Sequence, residues 1–416
     1  MKKRIAWCKN NFFSVSALFL LAFIPLYPKI PLLDVVQTWV YVRLEDLIIA
    51  AILFLFVLFH IRKRSIPKTY ITWPFGVYWI IGFVSAVVSI VFIGPHLVTY
   101  APHLTVLHFL RRIEYMMLFF LAYGMIAKNK RFLIPAIWIL GATVLCVAIY
   151  GAGQKFLGFP AFLTMNEEFA KGVPLRLPPT ARIPSTFGGH YDLGAYMVMV
   201  IPILGSLVFG FKRWYEKIIF FLLAVSALVT LLFTASRVSF GVYLVSITTM
   251  LVWQKKKLLI LPVLVVSILL LNSVSSASDR FYKTFRFSDV IVDLSTGKPI
   301  GTLDRLEGGR AVLQEQERPD VESLPQGSEF IGVGTGGAGG SAQSVEIIAN
   351  RPLATGSGEI ATVSGSFLIQ KALVYDISIT TRFQGQWPKA VAAFRRNMVL
   401  GSGFSTLSGA SDGEYL

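Results

Sequence analysis

The chain has 416 residues, of which 54% are hydrophobic and only 15% are charged. Because soluble globular proteins average about 25% charged residues, this composition argues against a soluble enzyme, and the 13% aromatic content excludes a disordered chain. The 39 Lys and Arg residues against 23 Asp and Glu give a net charge of +16, which by itself would suggest nucleic-acid binding. The two cysteines, Cys8 and Cys146, cannot form a disulfide framework.

Apolar runs recur through the first two thirds of the chain. A transmembrane helix needs about 20 mostly apolar residues. The run at 11–28 follows basic residues but has no small-residue cleavage site, so it is interpreted as an uncleaved first span. The sequence predicts an all-α polytopic membrane protein with about nine transmembrane helices. The predicted spans cover residues 11–28, 44–60, 73–93, 108–126, 132–150, 191–211, 218–234, 238–253 and 258–272.

Basic clusters occupy alternate connections between these runs. The positive-inside rule places these connections and the N-terminus in the cytoplasm. The five segments hold about 17 basic residues against one acid, Glu216, and so account for nearly all of the net charge of +16. This topological role is favoured over binding of a nucleic-acid backbone. The clusters are Lys2-Lys3-Arg4 with Lys9, Arg62-Lys63-Arg64 with Lys68, Lys128 with Lys130-Arg131, Lys212-Arg213 with Lys217, and Lys255-Lys256-Lys257.

The exoplasmic side then receives the loops near 29–43, 94–107, 151–190 and 235–237 and everything after residue 272. Two domains follow: a transmembrane helical domain over 1–272 and an exoplasmic loop domain over 273–416 with some β structure.

Three segments of the loop domain have a recognisable pattern. The Gly-rich insert at 327–344 is interpreted as a flexible linker, because no Lys follows it as in a phosphate-binding loop. Residues 360–382 alternate apolar and polar side chains, which predicts short strands. Residues 387–396 predict an amphipathic helix with proline in its first turn.

Arg237 is the first candidate functional residue, because a charge at a membrane edge is costly unless it is paired, reaches the headgroups or serves a function. It lies in Thr234-Ala235-Ser236-Arg237-Val238-Ser239, a tight exoplasmic turn between two apolar runs. One interpretation is an arginine that extends to lipid headgroups. The other is an anion site, since a guanidinium is planar, permanently charged and suited to diphosphate oxygens.

Other charged residues open the second and fourth predicted spans. An ion pair between Glu114 and either Arg111 or Arg112 is expected within the fourth span. The Arg43-Leu-Glu-Asp46 segment at the start of the second span has a similar arrangement.

Arg182 and His190 precede the sixth span; His190 is either a proton carrier near neutral pH or a residue with one structural hydrogen bond. No zinc signature or Walker loop is present, so the sequence predicts no metal or cofactor site.

Four motifs together resemble the O-antigen ligase and polymerase superfamily of bacterial envelope glycosyltransferases. The resemblance extends over most of the chain from about residue 40, apart from the Gly-rich insert. The motifs are Phe187-Gly-Gly-His-Tyr-Asp-Leu-Gly-Ala-Tyr196 before a span, the Ser236-Arg237 turn, Arg382-Phe-Gln-Gly-Gln-Trp387-Pro-Lys-Ala with Phe394-Arg-Arg-Asn397, and Gly401-Ser-Gly-Phe-Ser405.

The resemblance implies a metal-independent, multi-pass transferase of the bacterial cytoplasmic membrane. Such proteins pass a glycan from a polyprenyl-diphosphate carrier to a glycan or lipid acceptor at the outer face. Arg237 matches the family's essential arginine, and Arg382 is the candidate for its partner. Arginines at the headgroup plane would stabilise the charge of the leaving diphosphate. The candidates for substrate binding are Arg111, Arg112, Arg182 and His190.

Two features depart from the family pattern. Asp412 stands where the ligases carry a histidine thought to activate the acceptor hydroxyl, which leaves polymerase chemistry or another transfer open. The sequence ends at Leu416, before the further spans of the family, so a truncated product is expected. Two other functions stay open: a transporter or flippase of lipid-linked saccharides, and an inactive fragment or membrane scaffold with 273–416 as its binding module.

Overall fold

The computed structural model describes residues 11–35, 38, 41–63, 69–96, 100–165, 167–274, 278 and 398, together with seven strands and one helix between residues 285 and 396. The chain divides into two compact units. The helical unit comprises Met1–Ala86 and Ala101–Phe281, and the β unit comprises Val87–Tyr100 and Tyr282–Leu416.

The apolar runs form helices, which bond most of their backbone N–H and C=O groups within the segment, as a lipid environment requires. The α-helices are α1 Phe12–Leu26, α2 Leu44–Arg62, α3 Thr72–Val88, α4 Pro102–Lys128, α5 Leu133–Ala152, α6 Glu167–Ala170, α7 His190–Gly210, α8 Trp214–Phe233, α9 Arg237–Trp253 and α10 Ile260–Ser273. The π-helical segments Ser89–Ile93 and Gly153–Leu157 follow α3 and α5. The 3-10 turns are Gly94–His96, Lys130–Phe132 and Lys257–Leu259. A two-stranded ribbon, β1 Pro31–Leu33 and β2 Val42–Arg43, connects α1 to α2.

Five helical segments are long and apolar enough to cross a membrane: Leu44–Arg62, Thr72–His96, Lys130–Leu157, His190–Gly210 and Trp214–Phe233. Three shorter apolar helices cover Phe12–Leu26, Arg237–Trp253 and Lys257–Ser273. These lengths and compositions fit a multi-pass membrane protein. Helix α4, where the sequence predicts a span at 108–126, carries Arg111, Arg112 and Glu114 in its first half and is not among the five. The prediction of nine spans therefore stays a prediction.

One core of the helical unit lies among α5, α7, α8 and α9. Val144, Leu193, Met197, Phe220 and Tyr243 are almost fully buried in it. Close approach depends on glycine: a Cβ at Gly141 of α5 would lie 2.9 Å from the side chain of Leu223 on α8. Packing through small residues is the usual means by which membrane helices associate, because lipid tails provide no hydrophobic driving force between them.

A second core joins α1, α2 and α4. Its buried residues are Leu20, Ile49, Leu53, Phe56, Phe120 and Leu121. This packing sets α4 beside α2, and so determines which charged residues of the two helices meet.

The β unit contains a seven-stranded sheet in the order β6–β9–β3–β4–β5–β7–β8. Its strands are β3 Phe285–Asp293, β4 Pro299–Arg305, β5 Ala311–Gln314, β6 Phe330–Ile331, β7 Ile347–Asn350, β8 Ile360–Val363 and β9 Phe367–Tyr375. Strands β3 and β9 pair antiparallel from Phe285 opposite Tyr375 to Asp293 opposite Phe367, whereas β5 and β7 pair in parallel.

Two of the three patterned segments predicted for 273–416 lie largely within the described residues. Strands β8 and β9 lie within 360–382. Helix α11 spans Trp387–Arg396, as the amphipathic pattern predicts, with Trp387, Val391 and Phe394 exposed. Of the Gly-rich insert at 327–344, only β6 belongs to the described residues.

Candidate functional site

Three connections of the helical unit meet at one end of its helices, which we call the polar end. The Thr186 hydroxyl donates a hydrogen bond of 2.5 Å to the carbonyl of Pro25 at the end of α1. The backbone N–H of Ile183 donates to the carbonyl of Phe233 at the end of α8, at 3.3 Å. The segment before α7 is thereby held against the ends of both α1 and α8.

The turn between α8 and α9 positions Arg237. Its backbone is left-handed at Ala235, where φ is 47°. Ser236 is the N-cap of α9, and its hydroxyl accepts a hydrogen bond of 3.4 Å from the backbone N–H of Ser239. The buried Thr234 hydroxyl donates to the carbonyl of Leu231 at 2.6 Å. These contacts fix Arg237, which is half-buried, as the first residue of α9.

The first turn of α7 packs directly on this turn. A Cβ at Gly194 would lie 2.7 Å from Ser239 Oγ and 3.6 Å from Ser236 Cβ. Only glycine therefore allows the N-termini of α7 and α9 to approach so closely. Since backbone N–H groups at a helix N-terminus carry a partial positive charge, two such termini side by side favour an anion.

Arg182 and His190 are in direct contact at the start of α7. Arg182 Nη1 lies 2.5 Å from His190 Nε2 and 3.4 Å from the hydroxyl of Tyr191. A guanidinium can only donate, so His190 Nε2 is the acceptor and the ring is neutral with its proton on Nδ1. Two roles were expected for His190, and this geometry corresponds to the structural hydrogen bond. The nitrogen that would receive a proton already accepts a hydrogen bond from Arg182.

A buried ion pair joins the end of α1 to the start of α2. Lys29 pairs with Glu45, and the Lys29 ammonium also donates a hydrogen bond of 3.0 Å to the carbonyl of Ile24. Only 8% of the Lys29 side chain and 7% of the Glu45 side chain is exposed. Burial lowers the pKa of Lys29 below its ordinary value, although the Glu45 carboxylate acts in the opposite direction. The Arg43 guanidinium contacts the other oxygen of Glu45 at 3.2 Å, as the local sequence suggested.

An ion pair was expected between Glu114 and either Arg111 or Arg112. Arg111 does not form it, because it reaches across to α2. Its Nη2 donates to Asp46 Oδ2 at 3.1 Å, and the same oxygen accepts from the backbone N–H of Arg43 at 3.0 Å. The packing of α4 beside α2 brings these side chains together. Arg112 is exposed and its Nη1 contacts the hydroxyl of Tyr78 on α3 at 3.4 Å.

Glu114 lines a cavity of about 530 Å³ between α2 and α4, together with Asp46 and Arg111. Its Oε1 is buried and has no hydrogen-bond partner among the described residues. The remaining walls are largely apolar, with Leu53 and Met117 among the lining residues. A buried carboxyl oxygen without a partner is costly, so it marks a place where a ligand or a proton can be accommodated.

The candidates named by the sequence thus fall into three groups. Arg237, Arg182 and His190 lie at the polar end, where α7 and α9 begin. Arg111 belongs to the charge network of α2 and α4, whereas Arg112 extends to α3. Arg382 and Asp412 lie outside the described residues.

Sequence reasoning missed Lys29 and Asp192. Lys29 is a base in a predicted exoplasmic loop, and its partner Glu45 is an acid at a predicted membrane edge; this coincidence was the available signal. Asp192 lies in the first turn of α7.

The polar end can therefore bind an anion through guanidinium groups and helix N-termini. Within the described ranges, no group of three His, Cys, Asp or Glu residues could hold a metal ion. No protein-family model, curated protein or solved structure matches the chain.

Proposed function

We propose that the chain transfers or polymerises glycans carried on a polyprenyl diphosphate, at the outer face of a bacterial cytoplasmic membrane. The observation that carries the proposal is the fixed position of Arg237 at the N-terminus of α9, on the same end of the helices as Arg182. A cation at a helix N-terminus is repelled by the partial positive charge of that terminus. An anion that binds both the cation and the terminus relieves this repulsion.

In this proposal the membrane contains nine spans, with the N-terminus and the basic loops in the cytoplasm and the polar end outside. The five long apolar segments, α4 and the three shorter apolar helices supply these spans. The anionic diphosphate then lies in the headgroup plane next to Arg237, and the lipid tail stays in the bilayer.

The reaction joins the acceptor oxygen to the anomeric carbon of the donor glycan and breaks the bond from that carbon to the diphosphate. Arg237 and Arg182 bind the diphosphate and stabilise the charge it gains as it leaves. His190 keeps Arg182 in place as a neutral acceptor. Arg382 is proposed as a further cation and Asp412 as the base that takes the proton of the acceptor hydroxyl, on the resemblance alone.

The test uses purified full chain in nanodiscs, a labelled polyprenyl-diphosphate-linked oligosaccharide and an acceptor glycan. Arg237→Ala should lower the transfer rate on the order of 100-fold, which is the cost of losing one preorganised donor to a developing oxyanion. Arg213→Ala is the matched control: Arg213 precedes α8 at the other end of the helices and contacts the Tyr215 hydroxyl. Transfer by Arg237→Ala at the wild-type rate, with normal membrane insertion, would show that the proposal is wrong.

A second candidate, movement of the lipid-linked saccharide across the membrane, is favoured by Glu114. Transporters place ionisable residues inside the bundle beside cavities, and Glu114 lines the cavity between α2 and α4 with a buried oxygen that lacks a partner within the described chain. Vesicles containing the protein and a fluorescent lipid-linked saccharide distinguish the two functions. Movement of the saccharide without new glycosidic bonds, abolished in Glu114→Gln, would establish transport in place of transfer.

A further inference from the structure

The opposite end of the helical unit, which we call the basic end, contains a second cavity of about 620 Å³. It lies where α1 begins and where α2 and α4 end. Phe13 belongs to α1, Phe56 and Phe59 to α2, and Lys128 to α4, so three helices line it. Helix α2 also carries Glu45 and Asp46 in its first turn, so this charge network and the cavity are separated by most of the length of α2.

The floor of the cavity is aromatic. The Phe13 ring packs edge-on against Phe56 and Phe59, with centroid distances of 5.3 Å and 5.2 Å. Gly124 of α4 faces the same space, and a Cβ added there would come only to 3.8 Å from Phe56. The cavity therefore has an apolar interior that is wide on the α4 side because Gly124 has no side chain.

The rim of the cavity is cationic. Arg62 and Lys63 at the end of α2 and Lys128 at the end of α4 line it, and all three are exposed. The Lys63 ammonium lies 4.5 Å from the centroid of the Phe59 ring, which holds the charge over the aromatic floor. Within the described part of the chain, no acidic residue lines this cavity.

We propose that this cavity binds an anionic phospholipid, with its phosphate between Arg62, Lys63 and Lys128 and its first acyl carbons on the phenylalanine floor. Basic residues in the last turn of a helix also complement the helix macrodipole. That role alone does not explain why these residues surround a cavity. An apolar interior bordered by three cations instead matches a molecule with an anionic head and an apolar body. Cavities of 300–1,000 Å³ are typical of small-molecule sites, so a headgroup with the adjoining carbons fits. The inference requires only that the helical unit lies in a membrane; it does not depend on glycan transfer.

The test measures lipid retention by native mass spectrometry of the full chain in detergent, with phosphatidylglycerol or phosphatidylcholine added. Wild-type protein should retain phosphatidylglycerol on the order of tenfold more strongly than phosphatidylcholine. The triple variant Arg62→Gln/Lys63→Gln/Lys128→Gln should lose this preference. The control is Lys255→Gln/Lys256→Gln/Lys257→Gln, which removes the same charge from the exposed connection between α9 and α10 and should keep the preference.

Gly124→Leu tests the cavity without changing charge. Its side chain should occupy the space beside Phe56 and weaken phosphatidylglycerol retention in protein whose thermal stability is otherwise unchanged. Equal loss of preference in the two triple variants would indicate general surface charge and overturn the proposal. Unchanged retention in Gly124→Leu, or binding of inorganic phosphate as tight as that of phosphatidylglycerol, would do the same.

Discussion

The two ends of the helical unit carry positive charge in different environments. At the polar end, Arg43 and Arg111 contact acids, and Lys29 is buried against Glu45. At the basic end, Arg62 and Lys63 are exposed around an aromatic cavity. Helix α2 contributes to both ends, so the contrast arises along a single helix.

Helix direction explains only part of this contrast. Acids in the first turn of α2 and bases in its last turn are what the helix macrodipole favours. The arginines of the polar end oppose that rule: Arg43 is the N-cap of α2 and Arg237 is the first residue of α9. The acids of the network pair with Arg43. Arg237 is the residue that we propose binds the diphosphate.

The largest effect on stability is expected from the buried pair. Lys29→Met leaves the Glu45 carboxylate buried with only Arg43 beside it, so we expect a loss of about 3–5 kcal/mol. Lys29→Met/Glu45→Met removes both charges and should recover most of that loss. The measurement is thermal and denaturant-induced unfolding in detergent, followed by tryptophan fluorescence. A single variant as stable as wild type would show that the polar end does not depend on its ion pairs.

The next largest effect on stability is expected from Gly194→Ala. The added methyl group meets Ser239 at the contact between α7 and α9, and overpacking of this kind costs about 1–3 kcal/mol. Gly241→Ala, also on α9 but with no atom within 4 Å of the added Cβ, should instead stabilise the helix by about 1 kcal/mol. Equal shifts in the unfolding midpoint of the two variants would mean that the close contact of the helix termini is unimportant.

Loss of the α9 cap should have a smaller effect. Ser236→Ala removes the hydroxyl that accepts the Ser239 N–H, with an expected cost of about 1 kcal/mol. Ser246→Ala, whose hydroxyl only bonds back to the carbonyl of Tyr243, is the control and should be nearly neutral. The comparison uses unfolding midpoints under identical conditions, and a stability loss in Ser246→Ala as large as in Ser236→Ala would contradict it.

The Lys29 ammonium should also give the polar end a distinctive alkaline pH dependence. Because burial lowers its pKa in the folded protein, the unfolded chain holds this proton to higher pH, and stability should rise as pH increases from the folded to the unfolded value. That window ends at the ordinary lysine pKa of about 10.4. The difference in unfolding midpoint between wild type and Lys29→Met, followed from pH 8 upward, isolates this contribution. If this difference in unfolding midpoint decreased as pH rises, the folded protein would not lower the pKa of Lys29.

The smallest effect on stability is expected at the basic end. Arg62→Gln should change stability by no more than about 0.5 kcal/mol, because an exposed cation there lies in a polar environment before and after unfolding. A loss comparable with that of Lys29→Met would remove the distinction between the two ends.

Hydrophobic periodicity and length predicted the positions of the helices well. The runs 191–211, 218–234 and 238–253 correspond to α7, α8 and α9 within four residues at either end. Apolar runs are local properties, and a helix satisfies its own backbone hydrogen bonds, so no tertiary information is needed. The tight turn before Arg237 was predicted for the same reason.

Contacts between distant residues were not predictable in this way. The pairing of Arg111 with Asp46 joins positions 65 residues apart and depends on α4 packing beside α2. Sequence reasoning could offer only the neighbour three residues away, Glu114. The contact of Arg182 with His190 likewise depends on how the chain before α7 folds back.

The buried pair of Lys29 with Glu45 also bears on how the chain enters the membrane. It closes α1, the connecting ribbon and α2 into one helical hairpin. In the proposed topology this hairpin delivers its connection to the far side of the bilayer during biosynthesis. Two opposite charges held together cross as a neutral unit, and this lowers the electrostatic barrier that each would meet alone. In that topology, we expect the pair to link the folding of the first two helices to their translocation.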